Sequence, residues 1–500
     1  MNERGEHGDD QSDSAHLIDI HILVETFEWY CHGDYSWQDF EFAEPLSVEG
    51  LQVLSDGIPP DALLDSPFFH DACSNEGVTL EIIRWLHDKF GQGAARSTND
   101  FEDWSPLHYA CKNKRMDPEI VRLLLVWWPE SVNHREDRGR LPLHMLCETI
   151  SIDETSSLAI LDLLVAAAPL SATIADPFGC LPIHRASESG RSYPFCKRLI
   201  DAWPESLRVQ NGRGDLPIHF ACAECNVEIV KYMIEHYPES INTWGDGELP
   251  IHCAALSRDN STRKADIIRY LLAKDPECAS KTGSTANRLP FHWVASEADS
   301  LESLRLLFDA YPEAIDIRDG MGNNPLDLAR GALVDFLEEQ LAYARKAEDH
   351  RVMTTTDEKG WLPLHHALQS GACLGAIKLL IKGNPSALRV VGNNWVLPLH
   401  IACEFSSVGV LQHITGLSAA SLHTRDLEGN SPLHYACQGG NLGVVKYLLE
   451  QHVPSVLEPN SSGKLPVHLL WDSNRVDRDS VEYVDAVWRL LLAHPETVMH

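Results

Sequence analysis

Long hydrophobic runs are absent from this sequence of 500 residues. A membrane-spanning helix needs about eighteen or more consecutive apolar residues. The best candidate covers only residues 158–168 and contains Asp162. The N-terminal stretch MNERGEHGDDQSDS is acidic and polar, with neither the basic start nor the apolar centre of a secretory signal. The sequence therefore predicts no membrane span and no secretory signal.

Catalytic motifs are also absent. The sequence contains no G-x-x-x-x-G-K-[ST], no H-E-x-x-H, no G-x-S-x-G and no glycine-rich nucleotide loop. We therefore predict that the chain is not an enzyme, with no catalytic residue and no cofactor.

Basic residues are scarce, at 41 Lys and Arg against 73 Asp and Glu, for a net charge of −32. Residues 1–65 alone contain 16 acidic residues and one basic residue, Arg4. Because so acidic a surface repels phosphate backbones, nucleic acid is excluded as an expected partner. We expect residues 1–15 to form a disordered acidic tail.

A disulfide framework is not indicated. The 13 cysteines are an odd number and are spread along the whole chain, which is typical of free thiols in a reducing compartment. The sequence therefore predicts a cytoplasmic protein, with the nucleus as an open alternative.

A short phrase centred on Pro-Leu-His or Pro-Ile-His recurs along the chain, as SPLHYAC from Ser105 and LPIHFAC from Leu216. We number its copies by the residue at the His position, the anchor. Spacings between anchors run from 33 to 40 residues. The twelve anchors are His70, His108, His144, His184, His219, His252, His292, Asp327, His365, His400, His434 and His468.

The phrase resembles the signature of the ankyrin repeat, Thr-Pro-Leu-His-x-Ala, and the resemblance covers about residues 66–500. It implies an all-α solenoid of stacked helix-turn-helix repeats with short β-hairpin fingers. It also implies a concave surface of fingers and inner helices that binds other proteins.

Each part of the phrase has a physical reason. Proline suits the first position of a helix, where its missing N–H would be unpaired anyway, and Ser105 and Ser431 can cap the helix. Most copies instead have Leu before the proline, so either another group satisfies the helix start or the Leu serves packing. A second amphipathic helix follows, a proline ends it in nine copies, and an Asp/Gly turn leads to the next phrase.

Copy eight departs from the pattern. Asp327 replaces the histidine, the terminating proline is missing, and a long charged helix is predicted from about Ala332 to Glu348. Either the stack bends here or two sub-arrays meet. We expect a capping segment in residues 16–65, copies one to seven in 66–326, an atypical copy eight in 327–356, and copies nine to twelve in 357–500.

The spacing His-x-x-Cys occurs six times, for example at His108 and Cys111. It places two metal-ligand residue types on one helix face. In the ankyrin signature, however, the histidine resembles a hydrogen-bonding element that ties a helix to the hairpin, and the Cys takes a position where a small apolar residue packs. We favour this second interpretation and predict no metal site.

The resemblance also implies partner-binding positions, because the residue between the turn glycine and the phrase is exposed in ankyrin proteins and varies with the partner. Trp and Arg in such a row are enriched in interaction hot spots. The alternative is that Trp104, Trp361 and Trp395 fold back to cover a neighbouring finger. The row of predicted partner-binding residues is Trp104, Arg140, Asp215, Glu248, Arg288, Asn323, Trp361, Asn430 and Lys464.

Two functional hypotheses follow. The first is a protein-protein interaction scaffold that binds unidentified protein partners. The second is the regulatory or substrate-recruiting part of an enzyme complex, such as a ubiquitin ligase, or the cytosolic part of a channel. Ankyrin arrays accompany many activities, so the fold alone does not choose between these hypotheses.

Overall fold

The computed structural model describes residues 68–96, 102–257, 261–297, 300–451 and 454–492, together with the single positions 48 and 98. The expected acidic tail, the expected cap in residues 16–65 and the helix-ending Pro495 lie outside the described residues. Two compact units divide the chain, with their boundary between Cys253 and Ala254. The sub-domain limits proposed from the sequence stay predictions.

Short helices alternate along the described chain. In the first unit they are α1 (Phe68–Ser74), α2 (Leu80–Ala95), α3 (Pro106–Lys112), α4 (Pro118–Trp127), α5 (Pro142–Glu148), α6 (Glu154–Ala167), α7 (Pro182–Glu188), α8 (Tyr193–Ala202), α9 (Pro217–Glu224) and α10 (Val227–His236). Helix α11 (Pro250–Leu256) contains the boundary between the units.

The second unit continues in the same way. Its helices are α12 (Ser261–Lys274), α13 (Pro290–Ser296), α14 (Leu301–Ala310), α15 (Pro325–Leu328), α16 (Ala332–Glu348), α17 (His350–Thr354), α18 (Pro363–Gln369), α19 (Leu374–Gly383), α20 (Pro398–Phe405), α21 (Val408–Leu417), α22 (Pro432–Gly439), α23 (Leu442–Glu450), α24 (Pro466–Asp472) and α25 (Val481–Leu492).

Helices of the same kind pack side by side. In the first unit the first helices α1, α3, α5, α7 and α9 each contact the next, as do the second helices α2, α4, α6, α8 and α10. Neither row can bury its apolar face alone, so each pair depends on its neighbours. This arrangement confirms the predicted all-α solenoid of helix pairs.

From copy two onward the phrase begins each first helix as expected, with its proline at the first helical position. Leu has no side-chain acceptor, so the N–H of His144 donates to the Leu141 carbonyl at 2.9 Å, and Nδ1 of His144 accepts from the N–H of Leu141 at 3.1 Å. The Leu side chain itself is buried, as at Leu181 and Leu289. Both roles considered for this position are therefore filled, one by the histidine and one by the Leu.

The second helices end where the sequence predicts. In eight described copies the proline after the second helix opens a short 3₁₀ turn, as in Pro129–Asn133 and Pro204–Arg208. A finger of about five residues then leads to the next phrase. No strand is present in the described part of the chain, and the only bridge there joins Gly245 to Glu248. The expected β-hairpin is thus reduced to a tight turn.

Copy eight is built differently. Its first helix, α15, has four residues, and the predicted long helix is present as α16, Ala332–Glu348. Helix α19 of copy nine packs both on α16 and directly on α14 of copy seven. Between α14 and α19, Oδ1 of Asp309 accepts from the N–H of Gly375 at 2.6 Å. A direct contact therefore joins copies seven and nine across the irregular copy.

Candidate interaction surface

The anchor histidines connect each first helix to the following finger. In copy four, Nδ1 of His184 accepts from the N–H of Leu181 at 3.1 Å, and Nε2 lies 3.2 Å from the carbonyl oxygen of Asp215 in the next finger. His144 makes the same pair of bonds, to Leu141 and Cys180. The predicted tie between helix and finger is confirmed.

This geometry fixes the protonation of the rings. Because Nδ1 accepts a backbone N–H, the ring proton lies on Nε2, which donates to the carbonyl. Burial lowers the pKa of His108, His144, His184 and His365 to about 4 in each case. The anchors are therefore neutral near pH 7, and both ring nitrogens are occupied by backbone groups.

The cysteines of the His-x-x-Cys pairs are small core residues. Cys111, Cys147 and Cys403 are fully buried, and burial raises the pKa of each thiol well above its usual value. Zinc binds the thiolate, which these surroundings disfavour. Within the described residues, no three His, Cys, Asp or Glu side chains form a group that could hold a metal ion.

Each finger is closed by its first residue. Oδ1 of Asp176 accepts from the N–H groups of Phe178 and Cys180, both at 2.9 Å, while the N–H of Asp176 donates to the Cys180 carbonyl. Asp357 arranges its finger in the same way. An Asp or Asn at this position therefore forms the turn that the Asp/Gly pattern predicts.

Successive fingers are joined by backbone bonds. In the first unit the N–H of Gly212 donates to the Phe178 carbonyl at 2.7 Å, and the N–H of Asp246 donates to the Arg213 carbonyl at 3.2 Å. In the second unit the N–H of Leu427 donates to the Asn394 carbonyl at 2.9 Å. Neighbouring fingers thus form a ladder with their tips side by side.

The expectation that the predicted row is exposed is wrong for four of its residues: Trp104, Asp215, Glu248 and Asn430 are buried. The ring of Trp104 lies 5.0 Å from that of Tyr109, and its Nε1 donates to Glu136 at 3.3 Å. For Trp104 the alternative, a ring that folds back against a neighbouring finger, is therefore correct.

The other members of the row are partly accessible. Arg140 and Arg288 form ion pairs with the finger residues Glu136 and Asp319, both at 3.0 Å. Asn323 and Trp361 are half-buried, and only Lys464 is exposed. Trp361 covers the next finger, because a Cβ at Gly392 would lie 2.5 Å from its ring. Their role in partner binding stays a prediction.

Large apolar side chains are exposed outside the fingers, as at Val126 and Val481, and five others are exposed in the finger region. In the first unit these are Phe178 and Trp244, with 65% and 44% of their surface exposed. In the second unit they are Met321, Trp395 and Leu427, at 71%, 61% and 61%. Sequence reasoning missed four of these five and considered Trp395 only as a covering residue. A bulky apolar residue between turn-forming neighbours, as in DPFG or DGMG, was the available signal.

Trp395 is held in an unusual backbone conformation. Asn394 and Trp395 have φ values of 62° and 61°, a region that costs a bulky side chain of order 1 kcal/mol or more. The Asn394–Leu427 backbone bond places Trp395 and Leu427 on adjacent fingers. We call these two exposed apolar side chains on adjacent fingers the 395/427 patch.

Stacked helix pairs, turn-like fingers and histidine ties define a helical repeat protein. The family model for ankyrin repeats matches residues 69–174, 183–282 and 399–491. The chain belongs to the ankyrin repeat family, whose repeats are non-catalytic interaction modules.

Two cation channels are similar in sequence to part of this chain. The human transient receptor potential cation channel subfamily A member 1 is 25% identical over 387 residues, which cover 68% of this chain and 32% of the channel. The Drosophila melanogaster protein of the same name is 26% identical over 208 residues, covering 39% of this chain and 16% of the channel. The chain thus spans a third or less of the length of these relatives.

None of the described helices is both long enough and apolar enough to cross a membrane.

Proposed function

We propose that the chain is an interaction scaffold that binds protein partners through the apolar finger tips and the adjoining first helices. The observations that carry this proposal are the exposed side chains of Phe178 and Trp244 in the first unit and of Met321, Trp395 and Leu427 in the second. Exposed large apolar residues that lie close together, as on the adjacent fingers of Trp395 and Leu427, are typical of interaction sites. The half-buried or exposed members of the original row, such as Arg140 and Lys464, would form its polar rim.

The 395/427 patch supports the proposal most directly. Aromatic side chains dominate hot spots because they bury a large area with little loss of conformational freedom. Trp395 gains no such burial in the chain itself, with 61% of its surface exposed, yet the backbone holds it in a left-handed conformation. Contact with a partner would bury both it and Leu427.

The similarity to cation channels favours one specific setting for this scaffold. A chain that resembles about a third of such a channel would serve as the cytosolic ankyrin part of one, and its partners would then include channel segments. We propose a cytoplasmic location for either setting, with the nucleus as the alternative.

The 395/427 patch can be tested with a matched pair of variants. Leu427→Ser removes an apolar finger tip, whereas Leu417→Ser removes a side chain of similar exposure, 53%, at the end of α21. The purified full chain and each variant are immobilised and incubated with cell lysate, and bound proteins are quantified by mass spectrometry. We expect Leu427→Ser, alone or with Trp395→Ser, to reduce recovery of the main partners several-fold.

Leu417→Ser should leave recovery unchanged. Equal losses for the two Leu variants would point to general stickiness of exposed apolar residues. Full recovery by the Leu427→Ser and Trp395→Ser double variant would remove the 395/427 patch from the proposed interface. Recovery of channel subunits from detergent extracts would favour the channel setting.

A further inference from the structure

A groove of about 840 Å³ lies on the second unit beside copy eight. One side is formed by α16 and α17 with Tyr343, Lys346 and Arg351, and the other by the finger and first helix of copy nine with Trp361 and His366. It is separate from the 395/427 patch, since none of its lining residues belongs to those finger tips.

The irregular packing of copy eight explains the groove. In regular copies each first helix packs against the next, as α18 does against α20. The first helix of copy eight, α15, ends at Leu328, and among the described residues α15 and α18 are not in close contact. The following chain passes through α16 and α17 instead, which leaves one face of α18 open.

The groove combines an apolar floor with a basic edge. Trp361 and Pro363 are half-buried, and Val352 is 40% exposed. Lys346 and Arg351 are exposed at the edge, and Lys359 lies nearby with Nζ 5.3 Å from the Trp361 ring. Such a surface fits one bulky apolar side chain flanked by negative charge.

The two cations that line the groove, Lys346 and Arg351, are not held by carboxylates of the described chain. Among the described residues neither Lys346 nor Arg351 forms an ion pair; Nζ of Lys346 lies 5.5 Å from the Tyr343 ring. The one carboxylate in the lining, Asp357, is already used by its own finger. It accepts from the N–H groups of Lys359 and Trp361 and lies 2.9 Å from Nε2 of His366.

We propose that this groove binds an acidic peptide segment of a protein partner, with a Leu, Phe or Trp side chain on Trp361 and Pro363 and carboxylates on Lys346 and Arg351. The inference rests on the proposed scaffold function and adds the chemistry of one partner segment. Uncompensated cations beside an apolar floor on a chain of net charge −32 give the local complementarity that selects such a segment.

The experiment uses the full chain and a phage-displayed library of random twelve-residue peptides. Bound sequences are identified, and the affinities of synthetic fluorescein-labelled copies are measured by fluorescence anisotropy. We expect enrichment of Asp and Glu around an aromatic or Leu residue. Reversing two exposed cations with Lys346→Glu and Arg351→Glu should weaken binding by roughly tenfold or more, because both attractions become repulsions.

Arg345→Glu is the matched control for Lys346→Glu alone, because it makes the same charge change in the last turn of the same helix at a residue outside the groove lining. It should alter affinity less than about threefold. Enriched peptides without acidic residues, equal losses for the two charge variants, or no enrichment at all would each overturn the proposal. A second chain bound at the groove would show as self-association abolished by Lys346→Glu and would also overturn it.

The outcome is separable from that of the scaffold proposal. Trp395→Ser should leave peptide affinity unchanged, because Trp395 does not line the groove. If the groove fails but Leu427→Ser still loses partners, only the groove inference is lost. If the acidic peptides bind but the finger-tip variants keep all partners, the finger-tip surface is lost and the groove remains.

Discussion

The first helices of copies four and eight begin with related phrases, but their anchor residues make different contacts. In copy four, His184 satisfies the start of its own helix and also reaches Asp215 in the next finger. In copy eight, Asp327 and Asn324 exchange backbone-to-side-chain bonds, both at 2.9 Å, and Asp327 pairs with Arg318 ahead of its own finger. The carboxylate thus caps the helix as the histidine does, without reaching the next finger.

The consequence is visible on both sides of the irregular copy. Among the described residues, no backbone hydrogen bond joins the finger of residues 319–323 to that of residues 357–361, although such bonds join most other neighbouring fingers. The contact between copies seven and nine uses Asp309 and Gly375 instead. Copy four thus combines a forward-reaching anchor with a backbone bond between its flanking fingers, and copy eight has neither.

Alanine variants of the anchors His184 and Asp327 should distinguish an anchor that also binds the next finger from one that only caps its helix. His184→Ala leaves the Leu181 N–H and the Asp215 carbonyl without partners and opens a cavity, for an expected loss of about 2–4 kcal/mol. Asp327→Ala removes one exposed half of a cap that Asn324 still supplies, for about 1 kcal/mol or less. The measurements are urea denaturation and hydrogen exchange across residues 211–215 and 319–328.

His184→Asn is the control for the largest effect. Its amide oxygen can accept from Leu181 but is too short to reach Asp215, as with Asp327 in copy eight. We expect an intermediate loss of stability and faster exchange in the 211–215 finger alone. If His184→Asn were as stable as the natural chain, the bond to the next finger would carry no weight.

The sequence predicts those structural features that depend on local pattern, and it misses those that depend on contacts between distant residues. The helix Ala332–Glu348 and the histidine tie depend on local pattern, and both are present. The burial of Asp215 depends on how closely Gly245 of the next finger approaches its side chain, which pattern alone does not reveal. The groove depends on which helices meet across copy eight, so the sequence located the irregularity but not its cavity.

Acidification should weaken the regular copies more than copy eight. The anchor His184 has a pKa of about 4 in the folded chain against 6.5 for an ordinary histidine. At a pH between these two pKa values, the histidine is protonated in the unfolded chain and neutral in the folded chain. The contribution of His184 to the stability of the fold is therefore complete above pH 6.5 and is lost as the pH falls towards 4. From pH 7 to pH 5 we expect about 2 kcal/mol less local stability per buried anchor.

Hydrogen exchange corrected for the intrinsic pH dependence would measure this loss. Copies three and four, with His144 and His184, should lose protection, whereas residues 319–328, which contain no histidine, should change less. His184→Asn should flatten the response of its own copy. Equal losses in all copies would assign the acid sensitivity to other groups.

The contact across copy eight should control local opening there. Residues 345–359 are mostly exposed, and we expect limited proteolysis of the described part of the chain to cut first in this segment. Asp309→Ala leaves the buried Gly375 N–H without its acceptor and should cost about 1–3 kcal/mol, with faster cleavage. Asp309→Asn keeps an acceptor oxygen and should cleave more slowly than Asp309→Ala. Slow exchange in this segment, equal to that of copies four to six, would instead show a continuous joint.

The smallest expected effect is that of metal removal, which should be none in either region. A zinc ion at His108 and Cys111 would have to displace the backbone partners of both ring nitrogens, at Ser105 and Arg140, and deprotonate a thiol whose pKa burial raises. Copy eight has neither residue type at its anchor. Elemental analysis should give far less than one equivalent of zinc per chain, and chelator should leave the denaturation midpoint unchanged. Stoichiometric zinc whose removal unfolds the regular copies and spares copy eight would make the histidines metal ligands, and the tie to the next finger would then be a secondary role.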